Sequence, residues 1–444
     1  MDDCSLKFAY KENQKGFIIN SKHLHFPHHI ENFKLKATEW LRSFDVCCML
    51  DNNNCINALG LSDVECIIAA GIKEEFIGKG KGDWELLTEA LKNTKQDYLF
   101  GYLNYDLKNQ IENLSSIHSD SIGFDDMYFF KPMHLIVIFN DGRYLIQSPN
   151  NNLLEEILLT ETVHFPYHPV HIKPKVSQEK YIQNVKAIQQ HIIEGDVYEL
   201  NYCVEFYDEQ ACIDPYHVYQ KLKQFSPTPF GAFLRVKDKF VLCASPERFI
   251  KKRGETLYSQ PIKGTVKRGA NSLEDQKMIQ QLLQSEKERA ENLMIVDLVR
   301  NDLARSSKTG SIKVEELFGI YSFSQVHQMI STVSSQIKET TSAVEAIKNA
   351  FPMGSMTGAP KVMAMELIEK YENTKRGLYS GAIGYFAPNS DFDFNVVIRS
   401  IQYNETKQYL NFEVGSAITY DSDANLEYEE CLLKAQAMMK ALAG

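Results

Sequence analysis

Two apolar runs, Phe230–Val236 and Phe240–Ala244, are joined by Lys237–Lys239 alone, and a link that short can only fold the chain back on itself. Parallel neighbours would need a crossover of about a dozen residues or more. The spacing therefore predicts an antiparallel hairpin, with Ser245-Pro246-Glu247 at its exit. Strand-like runs recur at Tyr198–Phe206, Gln325–Val333, Gly381–Phe386, Asn395–Tyr403 and Tyr409–Val414. Helical patterns lie between them. Ser177 precedes apolar positions Ile182, Val185, Ile188, Ile192 and Ile193, and Gly195-Asp196 ends the run, which predicts a helix capped at both ends. Ser272–Ser306 reads as one long helix broken near Asp302, and Asn425–Leu442 as the last helix. Strands in adjacent pairs with helices between them predict an α+β fold with antiparallel sheets, not a parallel doubly wound one.

The texture divides the chain near residue 170, into an N-terminal region, 1–170, and a remainder, 171–444. In the first, Val46–Leu50, Cys66–Ala70 and Leu135–Phe139 read as strands, and the proline-containing segment His164–Lys175 as a connection. His23, His25, His28 and His29 fall in one window, but without cysteines or a helical i,i+4 pair a polar loop explains them better than a metal site. A net charge of -10 with no long basic run argues against nucleic acid as a partner. The nine cysteines are odd in number and show no metal-ligand spacing, as expected of reduced thiols. The start, MDDCSLKFAYKENQ, has neither the basic nor the apolar region of a signal peptide, and no apolar run is long enough to span a membrane. A soluble, cytoplasmic protein is expected.

Several groups of residues could carry chemistry. Pro261-Ile262-Lys263-Gly264-Thr265 sets a lysine in a glycine-closed turn between apolar neighbours. Desolvation there would disfavour the ammonium and free a nucleophilic or basic amine; a solvated loop lysine is the plain alternative. Glu288 and Glu291 share one helix face, as do Glu427 and Glu430 on the last helix. Carboxylates without His or Cys suit a hard cation such as Mg²⁺, although two solvated faces paired to lysine and arginine would look the same. Gly354-Ser355-Met356-Thr357-Gly358-Ala359-Pro360-Lys361 precedes a helical run, where backbone N–H groups favour an anion, or is simply a capping turn. Gly415-Ser416-Ala417 is a small-residue strand exit that a ligand could approach closely. Arg399 at the end of Val396-Val397-Ile398 could clamp a carboxylate, with Tyr379 donating to the same anion. His327, inside a strand-like run, is more simply a core histidine.

Their order along the chain decides. Ser245-Pro246-Glu247, Pro261–Thr265, Ala290–Asp302, His327, Gly354–Lys361, Ser380–Tyr385, Val397–Arg399 and Gly415–Glu430 together resemble, motif after motif, the chorismate-utilising enzymes over about residues 177–440. The resemblance implies two mainly antiparallel sheets packed as an orthogonal sandwich with helices outside, as in anthranilate synthase component I. Within the family, alanine at position 263 marks the anthranilate synthases, and lysine is typical of aminodeoxychorismate synthase component I.

For that branch the resemblance implies that Lys263 attacks chorismate at C2, that Glu247 protonates the departing C4 hydroxyl, and that ammonia then displaces the lysine by adding at C4. It implies Mg²⁺ on Glu291 and Glu430, with Glu288 and Glu427 beside them. Arg399, Tyr379 and the backbone of Gly415, Ser416 and Ala417 would hold the enolpyruvyl carboxylate, with Thr265, His327, Ser355 and Thr357 lining the pocket. Pro229-Phe230-Gly231 resembles the later half of the family's tryptophan pocket, but Leu50-Asp51-Asn52-Asn53 does not show the earlier half. No Gly-x-Cys-x-Gly elbow is present, and the resemblance implies a separate glutamine amidotransferase subunit that supplies ammonia, for 4-aminobenzoate and folate synthesis. The alternatives are anthranilate synthase component I, an isochorismate or salicylate synthase, and a non-catalytic binding partner.

Overall fold

The computed structural model describes residues 19–21, 26–55, 61–92, 97–163, 165–166, 168–323 and 326–443. Every pairing between the described strands is antiparallel. The pairings form two runs. One passes from Tyr144–Gln147 through Met127–Phe139, Val64–Gly78, Val46–Asp51, Phe230–Val236, Lys239–Ser245, Ser400–Asn404 and Tyr409–Ile418 to Glu199–Asp208. The other starts from the same Met127–Phe139 and passes through Leu99–Leu103, Ala382–Phe386, Phe392–Asn395, Arg248–Arg253 and Thr256–Gln260 to Val326–Gln336. The long strand Met127–Phe139 joins them, because Val64–Gly78 pairs along both its halves while Leu99–Leu103 pairs with its first half and Tyr144–Gln147 with its second.

Side-chain alternation turns these runs into layers. On Lys239–Ser245, Val241 and Cys243 enter a core shared with Phe100, Tyr102 and Ile383 of the second run. The intervening Phe240, Leu242 and Ala244 join a separate core with Tyr216 and Tyr219 of helix Pro215–Phe225 and Met438 of helix Ala424–Leu442. On the second run, Leu99 and Leu103 face Ile295 and Val299 of helix Glu286–Ala304. The order is helices, sheet, sheet, helices, a sandwich with an apolar filling. Residues before 170 supply strands to both sheets, so the N-terminal region pairs directly with the remainder.

The expected helix after Ser177 is present as Gln178–Glu194, with the Ser177 hydroxyl accepting from the Lys180 N–H and Gly195 at φ 87 closing it. Three expectations are corrected. The long helix breaks at Ser285, not near Asp302, giving Ser272–Gln284 and Glu286–Ala304. Ser285 is extended, with φ -66 and ψ 111, and its hydroxyl caps the Glu288 N–H, so Ser285-Glu286-Lys287-Glu288 is a helix start. The strand expected over Asn395–Tyr403 is interrupted by Val396–Arg399, where Arg399 takes φ 50. The Lys263 turn is a β-bulge. Ile262 faces Ile330 and Thr265 faces Gln328, so the Lys263 strand carries one extra residue, accommodated by Gly264 at φ 95.

Of the histidine window, His23 and His25 lie outside the described residues, and His28 packs edge-on against Phe26 at 5.9 Å. The described cysteines form no disulfide. Among the described residues no helix is long and apolar enough to cross a membrane.

Candidate active site

A cavity of 1140 Å³ opens between the Lys263 strand, helix Glu286–Ala304, the Val396–Arg399 segment and helix Ala424–Leu442. Lys263, Glu247, Thr265, Glu288, Glu291, Ser355, Tyr379, Arg399, Gly415, Ala417, Glu427 and Glu430 all line it. Residues spread over much of the sequence are thus gathered at one place.

The bulge aims Lys263 inward. Its carbonyl accepts from Asn292 Nδ2 at 3.2 Å, and Asn292 Oδ1 accepts from the Ser331 hydroxyl at 2.6 Å, tying helix and sheet together behind the lysine. Lys263 Nζ donates to Glu199 Oε1 at 2.7 Å, with side-chain exposures of 11% and 1%. Burial pulls the lysine pKa down, but Glu199, and after it Glu291 and Glu430, outweigh burial and hold it above the ordinary value. This corrects the expectation that desolvation alone frees the amine: in the resting charge state Lys263 is a paired ammonium.

Glu247 follows the hairpin. The Ser245 hydroxyl accepts its N–H at 3.2 Å, and its carbonyl accepts from the Val396 N–H at 3.0 Å, which fixes the exit of the strand. Burial pushes its carboxyl up to about 7, against the opposing pull of the Ser355 hydroxyl, the Lys263 ammonium and the Ile262 N–H. Such a carboxyl can hold a proton near neutral pH and give it up.

The glutamate pairs face each other from two helices. Lys287 Nζ stands 3.6 Å from Glu427 and 3.8 Å from Glu291, and Lys434 Nζ 2.6 Å from Glu430. Glu427 Oε1 also accepts from the Ser422 hydroxyl at 2.9 Å. Burial pushes Glu291 up to about 7 and raises Glu288, whereas Lys434 outweighs burial at Glu430 and holds it low. Glu291 Oε1 is buried with no hydrogen-bond partner. Oxygen-only donors on two facing helices, including a buried oxygen with no hydrogen bond among the described residues, fit a hard divalent cation.

Arg399 supplies the opposite charge. Burial is what lowers its guanidinium pKa, and among the described residues no carboxylate offsets it. A cation in that position favours an anionic ligand. Tyr379 is buried beside it in the lining, its hydroxyl 3.6 Å from Cys203 Sγ. Ser355 Oγ is buried near the Glu247 carboxyl, with no partner at full hydrogen-bond geometry among the described residues.

Three expected residues are not brought into the cavity. His327 is buried on the opposite side of its strand from the cavity-lining Val326 and Gln328, held by Ser322 at 2.7 Å and Asp275 at 2.9 Å. Ser416 points away from Gly415 and Ala417, 3.0 Å from the Tyr181 hydroxyl. Thr357 turns its hydroxyl back to the Met353 and Gly354 carbonyls, each at 3.3 Å. Lys361 likewise anchors structure, reaching Asp302 at 2.7 Å and the Pro352 carbonyl at 2.8 Å. Pro229, Phe230 and Gly231 line a separate cleft of about 60 Å³ with Leu50, Asp51 and Asn52, and Asn53 Nδ2 closes one side onto the Thr228 carbonyl at 2.7 Å.

Sequence reasoning missed Glu199 and Glu413. Glu413 lines the cavity from Tyr409–Ile418, with its Oε1 buried and unpartnered. Glu413 is a carboxylate inside an otherwise largely apolar strand, and that signal could have found it; Glu199 opens a strand that also carries Glu205 and Asp208, so nothing in the pattern singles it out.

The chorismate binding enzyme family matches residues 46–440. Aminodeoxychorismate synthase component 1 of Bacillus subtilis (strain 168) is 35% identical over 362 residues, 77% of this chain and 76% of that protein. Anthranilate synthase component 1 of Acetivibrio thermocellus is 32% identical over 373 residues, 77% of this chain and 74% of that protein. Among solved structures, anthranilate synthase component I from Streptococcus pneumoniae TIGR4 superposes with a TM-score of 0.74 at 26% identity, covering 86% of this chain and 93% of that one. The cavity, its charges and this breadth of similarity lead to one assignment: the chain belongs to the chorismate binding enzymes.

Proposed function

We propose that the chain is aminodeoxychorismate synthase component I, converting chorismate and ammonia to 4-amino-4-deoxychorismate for 4-aminobenzoate and folate synthesis. The observation that carries this reading is the placement of Lys263 in the same buried cavity as the proton-bearing Glu247. Identities of 35% and 32% to relatives named for the two activities do not separate the branches. A lysine at position 263, where the resemblance assigns alanine to the anthranilate synthases, supports the aminodeoxychorismate branch.

Arg399, with Tyr379 and the backbone at Gly415 and Ala417, orients the enolpyruvyl carboxylate. Glu291 and Glu430, with Glu288 and Glu427, would hold Mg²⁺, which when bound offsets the charge of the ring carboxylate. Lys263, once neutral, bonds to C2 as the ring double bond shifts. The C4 hydroxyl leaves as water with the Glu247 proton. Ammonia then adds at C4, the Lys263–C2 bond breaks, and Glu247 recovers a proton from the new ammonium group. Atoms and charge balance: chorismate and ammonia give the amino product and water. A separate amidotransferase supplies the ammonia, in keeping with the "component 1" name of the Bacillus relative.

The test is mass spectrometry of the protein incubated with chorismate and Mg²⁺ without ammonia, for wild type and Lys263→Ala. A substrate-derived adduct on Lys263, absent in the variant, is expected. No adduct, together with full amination by Lys263→Ala, would overturn the assignment. Release of pyruvate with ammonia present would instead identify an anthranilate synthase.

A further inference from the structure

Resting on the proposed role of Lys263, we infer that Glu199 is the base that takes the Lys263 proton, making it a third catalytic residue beside Lys263 and Glu247. A paired ammonium has no lone pair to offer, so the covalent step needs an acceptor within reach of Nζ. Glu247 must keep its proton for the C4 hydroxyl. Glu288, Glu291, Glu427 and Glu430 are the cation's ligands. Glu199 remains.

Its geometry suits the task. Oε1 already accepts from Nζ at 2.7 Å, so the proton moves along an existing hydrogen bond. Oε2 is buried with no hydrogen-bond partner among the described residues, so no second hydrogen bond has to break when the carboxylate takes a proton. The side chain is 1% exposed, so water does not compete for the proton. The backbone holds it in place, because Glu199 lies opposite Ala359 in the short pairing of Gly358–Ala359 with Leu200 and Glu199. The step is Lys263–NH₃⁺ plus Glu199–COO⁻ giving Lys263–NH₂ plus Glu199–COOH. The proton returns when the lysine is released from C2.

The experiment is rapid-quench mass spectrometry of adduct formation with chorismate and Mg²⁺, comparing wild type, Glu199→Gln and Glu199→Asp. Glutamine keeps the volume and an acceptor oxygen for Nζ but cannot take a proton. Glu199→Gln is expected to slow adduct formation by 100-fold or more while KM for chorismate moves less than about threefold. Glu199→Asp, a base set one methylene back, should fall between it and wild type. Adduct formation by Glu199→Gln at the wild-type rate, with wild type forming the adduct, would overturn the role of Glu199 and leave that of Lys263 standing. No adduct in wild type would overturn both. If Glu199→Gln does not fold, an undiminished rate in Glu199→Asp would overturn the role of Glu199.

Discussion

At the scale of single residues the site is a set of charges whose burial decides what each can do. Glu247 shows this with a sign that can be worked out. Its folded pKa, about 7, lies above the ordinary 4.5, so between those values the native state holds a proton that the unfolded chain releases. Its contribution to stability is therefore full below about pH 4.5 and is lost as pH rises to about 7, an effect on the order of 3 kcal/mol. Glu247→Gln removes this linkage. Its melting temperature relative to wild type should climb from pH 4.5 to 7 and then level off, and calorimetry across that range checks it. The same variant should lose 100-fold or more in kcat, and wild-type kcat should fall above about pH 7 as the acid ionises. Arg399 gives the complementary prediction. Its guanidinium has no carboxylate to lose, so Arg399→Ala should raise KM for chorismate 10-fold or more without lowering the melting temperature. An unchanged KM would remove Arg399 from the carboxylate clamp.

At the scale of elements, the chemistry depends on irregularities that periodicity does not reveal. The hairpin Phe230–Val236 to Lys239–Ser245 was legible because alternation and turn length agree, and the helix after Ser177 because both caps are written in the sequence. The bulge at Lys263 was not legible, since an extra residue in a strand is defined only against its partner Val326–Gln336. The break at Ser285 was legible in principle, as a serine three residues before Glu288, but the good helix formers on both sides, Gln280–Gln284 and Glu286–Glu291, concealed it. For His327 the residue reading, a core histidine, agrees with its place in the fold, whereas the pocket role implied by the resemblance does not: a one-residue change of face on a strand separates a pocket lining from a core. The bulge makes a firm prediction. A Cβ at Gly264 would lie 3.1 Å from Glu288 Oε2 and 3.2 Å from Met329 Cβ, at φ 95. Gly264→Ala should therefore destabilise the protein by about 1–3 kcal/mol and displace Glu288 from the cavity. Denaturant unfolding measures the first effect, and a weaker Mg²⁺ requirement curve the second; a neutral result in both would mean that the bulge tolerates a side chain.

At the scale of the whole molecule, the sandwich brings together two helices that lie far apart in the chain. Glu286–Ala304 packs on the second sheet through Ile295 and Val299, while Ala424–Leu442 packs on the first through Cys431 and Met438. The α+β class and antiparallel pairing followed from local patterns, but the approach of these two helices did not, because each packs on a different sheet and only the stacking of the sheets brings them together. Lys287 now bridges the glutamates, 3.6 Å from Glu427 on one side and 3.8 Å from Glu291 on the other, a weak and partly exposed substitute for a divalent ion. A cation that binds the folded arrangement but not the unfolded chain stabilises by mass action, about 2.7 kcal/mol at 100 times its Kd. Because the proposed ligands come from both helix layers, that stabilisation should act on the molecule as one cooperative unit. Mg²⁺ at such excess should thus raise a single melting transition by a few degrees. Glu291→Gln, which removes a buried charge that the ion would neutralise, should melt no lower than wild type without Mg²⁺ and should not respond when Mg²⁺ is added. A wild-type shift that survives intact in Glu291→Gln would place the ion elsewhere. A shift confined to one of two separate transitions would mean that the helices do not share it.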